Sequence, residues 1–218
     1  ILYIISYVRQ RLPDDKIFYL GSLLNPKMHL EIVKTIQPEV YGISFTTFRK
    51  FEAYNIINKV KRVSPNTIIV CGGVHPTINP QEALKKTHSD ICVIGEGEVT
   101  LYELMREIHG GKNFEQVAGL AYRDAEWKVH LTNPRPLLED INFFPAWDFV
   151  DLAKYDIPFR KKYPFAYILA SRGCPHNCVF CSNPVWKASK PWVRLRKPSN
   201  IAEEVKFLHD RGVREIYI

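Results

Sequence analysis

Three cysteines, Cys174, Cys178 and Cys181, lie within eight residues in a stretch that reads RGCPHNCVFCS over residues 172–182. The CxxxCxxC spacing lets one loop present three thiolates to a single metal centre, and thiolates are the usual protein ligands of iron–sulfur clusters. Three protein ligands leave one iron of a four-iron cluster open, and an open metal position is where a substrate or cofactor binds. The pattern therefore predicts a [4Fe-4S] cluster with one open iron.

Residues beside the cysteines fit this interpretation. Gly173 permits a sharp turn directly before the first ligand. The ring of Phe180, next to the last ligand, is expected to shield the cluster from water. Residues 165–171 form an apolar, strand-sized run that would fix the base of the loop.

Two alternatives to an iron–sulfur cluster stay open. A zinc site could use His176 or a distant histidine as its fourth ligand, although structural zinc sites usually pair two CxxC knuckles and the chain has no second one. Ordinary core cysteines rarely cluster in this way. Cys71 and Cys92, in contrast, fall in predicted buried strands and are interpreted as small apolar core residues.

Composition and charge limit the class of protein. The chain has 218 residues, 46% of them hydrophobic and 24% charged, which is enough for one large or two small globular domains. No apolar run approaches the roughly 18 residues of a membrane span, so none is predicted. An odd number of cysteines, five in all, favours a metal site in a reducing compartment such as the cytoplasm over a set of disulfides.

The formal net charge of +7 raises the question of a nucleic-acid partner. Basic residues cluster at 160–162 and over 187–197, the latter with Trp186 and Trp192 close by. A solvated face, or a groove for an anionic cofactor, accounts for these clusters better, so we predict no nucleic-acid partner.

Short β-branched runs alternate with helical stretches over residues 1–110, which is typical of a doubly wound α/β domain. The predicted strands are 16–20, 40–44, 67–71 and 91–94, and the predicted helices are 1–10, 27–37, 51–63, 82–87 and 100–109. Residues 111–164 are predicted to form a hairpin, 117–123 with 127–132, followed by a linker. Residues 165–218 would begin a second α/β domain, with a strand at 165–171, a helix at 201–211 capped by Ser199, and a strand from 213. Because the chain opens on a helix and ends in a strand, we expect further sequence on both sides.

Three segments of the first domain each end a predicted parallel strand. Because the carboxyl ends of such strands share the edge where open α/β sheets bind ligands, the segments are expected to converge there. Glycines allow close approach of a bulky ligand, and hydroxyls can bind its polar groups. We interpret His75 as a loop histidine rather than a metal ligand. The candidate ligand-binding residues are Ser44, Thr46, Thr47, Gly72, Gly73, His75, Gly95, Glu96 and Gly97.

The cysteine stretch at residues 172–182 resembles the signature of the radical S-adenosylmethionine enzymes. The resemblance implies that the three cysteines ligate a [4Fe-4S] cluster whose open iron binds the amino and carboxylate groups of S-adenosylmethionine, with Phe180 beside the adenine. Reduction would then split the sulfonium into methionine and a 5'-deoxyadenosyl radical, which abstracts a substrate hydrogen. The family's fold is a partial (β/α) TIM-type barrel, and its Gly-Gly-Glu stretch after the second strand is not reached by residue 218.

The α/β domain predicted over residues 1–110 precedes the cysteine stretch, and with it the chain resembles the cobalamin-dependent class of that family. The resemblance continues through the hairpin and the FPAW connector at residues 144–147. This resemblance implies a flavodoxin-like (Rossmann-type) cobalamin-binding domain whose segments 44–47, 72–75 and 95–98 embrace the nucleotide tail of cobalamin, followed by the start of the barrel. The Asp-x-His-x-x-Gly motif that often supplies cobalt with an axial histidine does not occur in these residues.

The resemblance leads us to expect methylation of an unactivated carbon of a small molecule or natural product, with an electron donor such as flavodoxin or ferredoxin. No catalytic residue is assigned. A cyclisation or rearrangement of the same class is an alternative, as is a non-catalytic cobalamin-binding module with a structural metal site.

Overall fold

The computed structural model describes residues 1–21, 26–152, 164–187 and 190–218. It divides into two units. The sheet unit consists of Ile1 and Tyr7–Arg135, and the cysteine unit consists of Leu2–Ser6 and Pro136–Ile218. The domain boundaries predicted above stay predictions.

Helices and strands alternate through most of the sheet unit. They are α1 (Leu2–Arg11, which begins in the cysteine unit), α2 (Pro26–Ile36), β1 (Val40–Ser44), α3 (Lys50–Val63), β2 (Ile68–Gly72), α4 (Val74–Ile78), α5 (Pro80–Lys86), β3 (Ile91–Val93), α6 (Gly97–His109), β4 (Leu120–Arg123) and β5 (Val129–Leu131).

A five-stranded sheet in the order β1-β2-β3-β4-β5 forms the centre of this unit. Strands β1, β2 and β3 are parallel, and the hairpin β4–β5 continues the sheet in antiparallel fashion. Because the first three strands run in one direction, Ser44, Gly72 and Val93 all lie at the same edge of the sheet. We call it the carboxyl edge.

Apolar residues cover both faces of the sheet. Helices α3 and α5 pack Ile57, Val60 and Leu84 on one face, against a layer that includes Cys71 and Cys92. Helix α6 packs Leu104 and Ile108 on the other face. Because both faces of the sheet are covered, β3 is buried throughout. A strand in this position must be apolar at nearly every residue. This confirms the predicted α/β fold and the buried positions of both cysteines.

The cysteine unit contains a βαβ arrangement and a short antiparallel pair. Its elements are β6 (Phe165–Tyr167), β7 (Ser171–Arg172), β8 (Arg194–Leu195), α7 (Pro198–Asp210) and β9 (Glu215–Tyr217). Strands β6 and β9 are parallel, as the sequence predicted for a second α/β segment, whereas β7 pairs with β8 in antiparallel fashion. The single strand predicted over 165–171 is therefore divided, and β7 closes the base of the cysteine loop.

Two predictions about these helices and strands are wrong. Residues 16–20 form no strand, because the sheet begins at β1 and no described strand pairs beyond it. Ser199 does not cap α7, whose N-cap is Lys197 and whose first turn contains Pro198. Proline fits the first turn of a helix and keeps the residue before it extended, so the helix begins two residues earlier than a cap at Ser199 would allow.

A buried ion pair fixes α7 within the cysteine unit. Glu204 and Arg196 side chains are 0% and 1% exposed and contact each other directly. The Arg196 guanidinium also donates to the carbonyl of Leu169 at 2.9 Å and to the hydroxyl of Tyr3 at 3.2 Å. Trp147 Nε1 donates to Glu204 Oε1 at 2.7 Å. The pair therefore joins α7 to the chain that leads into the cysteine loop.

No helix among the described residues is both long and apolar enough to cross a membrane.

The ion pair leads to a prediction about stability. Glu204→Ala leaves the Arg196 cation buried without its carboxylate, which should lower the free energy of unfolding by about 3–5 kcal/mol. Lys206→Ala is the matched control in the same helix, because Lys206 pairs with Asp210 at the surface, with 77% and 53% of the side chains exposed. That change should cost less than about 1 kcal/mol. Urea unfolding of both variants checks this, and equal losses would contradict it.

Candidate functional site

Hydrogen bonds tie together the loops at the carboxyl edge of the sheet. Phe45 N donates to the carbonyl of Gly72 at 3.1 Å, and His75 N donates to the carbonyl of Phe45 at 3.3 Å. Gly95 N donates to Thr77 Oγ1 at 3.1 Å. The structure therefore brings together the three segments that the sequence placed at this edge.

Gly73 makes the close contact between the first two segments possible. Its φ is +95°, in the left-handed region, and a Cβ there would lie 2.7 Å from Ser44 Oγ and 2.9 Å from the carbonyl oxygen of Phe45. Only glycine fits without moving the loop. Gly95 also has a positive φ, +80°, but a Cβ there would meet no atom within 4 Å, so the backbone at Gly95 borders open space.

His75 lies beneath these loops rather than on them. It is in α4, is 0% exposed, and has both ring nitrogens engaged, with Nδ1 3.1 Å from Thr47 Oγ1 and Nε2 2.9 Å from the Tyr54 hydroxyl. The prediction of a loop histidine is therefore wrong, because the single turn of α4 after Gly73 carries its ring into the core. Burial lowers the pKa of His75, partly opposed by Glu82, whose Oε2 is 3.8 Å from Nε2. A neutral ring fits these two hydroxyl partners.

The hydroxyl side chains at the end of β1 lie at the surface. Ser44, Thr46 and Thr47 are exposed, as is the backbone of Gly42, where a Cβ would meet no atom within 4 Å. At the end of β3, Glu96 is the N-cap of α6 and Gly97 begins the helix. The amino end of α6, with its partial positive charge, therefore lies beside Gly95.

The cysteine loop leaves β7 through another glycine with a positive φ. Gly173 has φ +85°, and a Cβ there would lie 1.6 Å from the carbonyl oxygen of Trp192. Cys174 is half-buried, whereas Cys178 and Cys181 are exposed. Because the two ends of the loop meet at Gly173 and Trp192, just outside the β7–β8 pair, the three thiols are confined to one compact segment.

Backbone and amide groups shape the ligand end of this loop. Cys181 N donates to the carbonyl of Cys178 at 3.1 Å, and Asn183 N donates to Cys181 Sγ at 3.4 Å. Asn183 Nδ2 donates to the carbonyl of Cys174 at 3.1 Å. A peptide N–H that donates to a cysteine sulfur is one of the hydrogen bonds that tune iron–sulfur clusters.

The donor set fits an iron–sulfur cluster by its chemistry. Among the described residues, no three His, Cys, Asp or Glu side chains are already gathered at metal-binding distances. Three thiols on one loop with a sulfur-directed amide nevertheless supply the ligands that such a cluster takes. Phe180 is 90% exposed, and its predicted shielding of a cluster stays a prediction.

Of the two basic clusters in the sequence, the structure describes residues of the second only. Residues 160–162 lie outside the described residues. In the second cluster, the ammonium groups of Lys187 and Lys190 lie 5.7 and 5.3 Å from the centre of the Trp192 ring. These lysines therefore stack on an aromatic side chain of their own loop.

Sequence reasoning missed four residues that organise the two sites: Tyr54, Lys187, Arg196 and Glu204. Tyr54 gave a weak signal, because a tyrosine on the apolar side of a helix usually needs a partner for its hydroxyl. Lys187 and Arg196 stood out only as members of the basic cluster at 187–197. Glu204 gave no signal, since two oppositely charged residues eight positions apart do not show that they are buried together.

The chain is similar to known proteins over nearly its whole length. Residues 1–105 match the family model of the B12 binding domain. The chain is 32% identical over 218 residues to an uncharacterised methyltransferase of Pyrococcus horikoshii, covering 98% of this chain and 46% of that protein. It is 29% identical over 223 residues to the anaerobic magnesium-protoporphyrin IX monomethyl ester cyclase of Rubrivivax gelatinosus, covering 97% of this chain and 39% of the cyclase.

A solved structure has the same fold. The radical S-adenosylmethionine methyltransferase TsrM from Kitasatospora setae, determined with cobalamin and a [4Fe-4S] cluster bound, superposes with a TM-score of 0.66 at 18% identity, over 98% of this chain and 44% of TsrM. The chain thus spans less than half the length of each of these relatives. Through its B12-binding match, its relatives and its fold, the chain is similar to radical S-adenosylmethionine enzymes that contain a cobalamin-binding domain.

Proposed function

We propose that this chain binds the cofactors of a cobalamin-dependent radical S-adenosylmethionine enzyme that methylates an unactivated carbon. The observation on which this rests is the presence, in one chain, of a segment that matches a B12-binding domain, residues 1–105, and of a CxxxCxxC loop that follows a strand. When bound, the cluster and S-adenosylmethionine would supply a carbon-centred radical, and cobalamin would supply the methyl group.

The carboxyl edge of the sheet would hold cobalamin. Exposed hydroxyls at the end of β1 are placed to bind polar groups of its nucleotide tail, and the glycines would let the tail approach the backbone. His75 would act through Thr47, because its own ring nitrogens are already engaged. The residues assigned to this site are Ser44, Thr46, Thr47, Gly72, Gly73, His75, Gly95, Glu96 and Gly97.

The cysteine loop would hold the cluster through Cys174, Cys178 and Cys181, with Phe180 beside S-adenosylmethionine. Cleavage of the sulfonium is reductive, so an electron donor such as a flavodoxin or ferredoxin would be a partner, and a reducing compartment such as the cytoplasm would suit it. The substrate would be a small molecule or natural product rather than a nucleic acid.

Ring closure is the second candidate reaction. It is favoured by one observation, the similarity to a cyclase across 97% of this chain. Both reactions would need the same cofactor-binding residues, so product analysis with a methyl-labelled S-adenosylmethionine distinguishes them. Label transferred to the product supports methylation, and a product without label supports cyclisation.

The radical reaction is tested with the protein in its full natural length, reconstituted with iron and sulfide without oxygen. Reduction in the presence of S-adenosylmethionine should release 5'-deoxyadenosine. Cys178→Ala should lose the cluster absorbance near 400 nm and reduce product formation at least 100-fold, while Cys71→Ala, the same exchange outside the loop, should keep both. Zinc in place of iron, or no 5'-deoxyadenosine from an iron-loaded protein, would overturn the proposal.

Gly73 provides a test of the cobalamin site. Gly73→Ala would place a Cβ within 3 Å of Ser44 Oγ and of the Phe45 carbonyl, at a φ of +95° that alanine rarely adopts. The strain should be relieved by movement of the β1 loop and weaken cobalamin binding about tenfold or more. Gly111→Ala is the control, because its Cβ meets nothing within 4 Å. Spectral titration with aquacobalamin measures both, and an unchanged affinity in Gly73→Ala would contradict the assignment.

His75 makes the stability of the cobalamin-free protein depend on pH. Burial lowers the pKa of the folded ring, whereas in the unfolded chain it titrates near its ordinary value of about 6.5. Below that pH the unfolded state binds more protons, so the free energy of unfolding should fall as the pH is lowered from 7.5 to 5.5.

His75→Gln should remove this part of the pH dependence, whatever its effect on the free energy of unfolding at pH 7.5. His88→Gln, at an exposed histidine of the same unit, is the control and should keep it. Denaturant unfolding at both pH values measures the effect, and an equal slope in His75→Gln and the wild type would show that His75 is not its source.

A further inference from the structure

One side chain, Lys187, holds the spacer between the first two cysteines. Its ammonium donates to Asn177 Oδ1 at 2.6 Å, to the carbonyl of His176 at 2.8 Å and to the carbonyl of Pro175 at 3.2 Å. These acceptors are the three residues of the spacer between Cys174 and Cys178. An ammonium group has three protons, so all three are used within the loop.

Lys187 lies at the end of a short 3-10 helix, Asn183–Lys187, that follows the last cysteine. At the start of this helix, Asn183 contacts both the first and the last cysteine, through the Cys174 carbonyl and Cys181 Sγ. The helix thus contacts the loop at both of its ends.

Two carbonyl oxygens and an amide oxygen that point towards one position repel one another unless a cation lies between them. The Lys187 charge removes this repulsion and selects the spacer conformation in which all three oxygens face the same side. Without the charge, the three oxygens would turn towards water and the spacing of the thiols would no longer be fixed.

We propose that Lys187 is a positioning residue for the cluster-binding loop, and that its charge favours the reduced cluster. This inference rests on the proposed function, because it takes the three cysteines as ligands of a [4Fe-4S] cluster. A cluster that accepts one electron gains one negative charge, and a fixed cation on the ligand loop stabilises that state more than the oxidised one. Lys187 acts on the cluster through the spacer and through its field, and does not contact the iron.

The experiment compares Lys187→Met with Lys187→Arg in the full-length protein after reconstitution without oxygen. Lys187→Met should hold less iron per chain, about half or less of the wild-type amount. Its loaded fraction should be about threefold less reduced than wild type at the same applied potential, a modest effect because solvent screens a charge at the surface. Lys187→Arg, which keeps the charge and the donors, should restore most of both. Iron analysis and a titration followed by the cluster's optical and spin-resonance signals give the readouts.

Lys190→Met is the matched control. Lys190 lies over the same Trp192 ring, but among the described residues it makes no hydrogen bond to the spacer. Its loss should leave iron content and reduction unchanged. Asn177→Ala, which removes one partner of Lys187 and no charge, should lower iron content without the shift in reduction, and it tests the positioning role if Lys187→Met does not fold.

The outcomes separate this inference from the proposed function. A wild-type protein that takes up no iron–sulfur cluster would overturn the proposed function. A wild-type cluster with Lys187→Met equal to it in iron content and reduction would overturn only the role of Lys187. Equal losses in Lys187→Met and Lys190→Met would assign the effect to surface charge in general and would also overturn the positioning role.

Discussion

Backbone contacts that exclude a Cβ atom determine where both candidate sites lie. Gly73 follows β2 and Gly173 follows β7, and each has a positive φ and a neighbouring carbonyl oxygen within 3 Å of where a Cβ would be. A loop that leaves a strand through such a glycine turns back against the adjacent segment instead of extending into solvent. In the sheet unit this closes the carboxyl edge, and in the cysteine unit it closes the base of the cysteine loop.

The loop at the sheet edge and the cysteine loop are each held in one conformation, but by side chains of different charge. At the sheet edge, the neutral ring of His75 joins Thr47 and Tyr54 in the core, where a charge would be costly. At the cysteine loop, the ammonium of Lys187 gathers three oxygens at the surface, where water reduces the cost of a charge. Burial therefore explains why one loop is ordered by a neutral group and the other by a cation.

Much of this arrangement could be predicted from the sequence, because it depends on local pattern. Neighbouring residues are enough to recognise the apolar runs of β1, β2 and β3 and the amphipathic helices α3 and α6. They are also enough to recognise the spacing of Cys174, Cys178 and Cys181. The position of His75 could not be predicted, since it depends on where a single helical turn directs one side chain. The failure at residues 16–20 has a similar cause, because an apolar, aromatic-rich run becomes a strand only where a partner strand is present.

The packing of α7 could not be predicted from the sequence, because it depends on contacts between residues that are distant in sequence. Arg196 and Glu204 form a buried pair, and burying two charges is favourable only when each completes the other's hydrogen bonds, here with Leu169, Tyr3 and Trp147 as further partners. Such a group specifies one packing of α7, because any shift of the helix would leave a charge uncompensated in the core. Since Leu169 lies between β6 and β7, that requirement also fixes the segment that leads into the cysteine loop. The position of the thiols therefore depends on a charge pair that a reader of the loop sequence alone would not see.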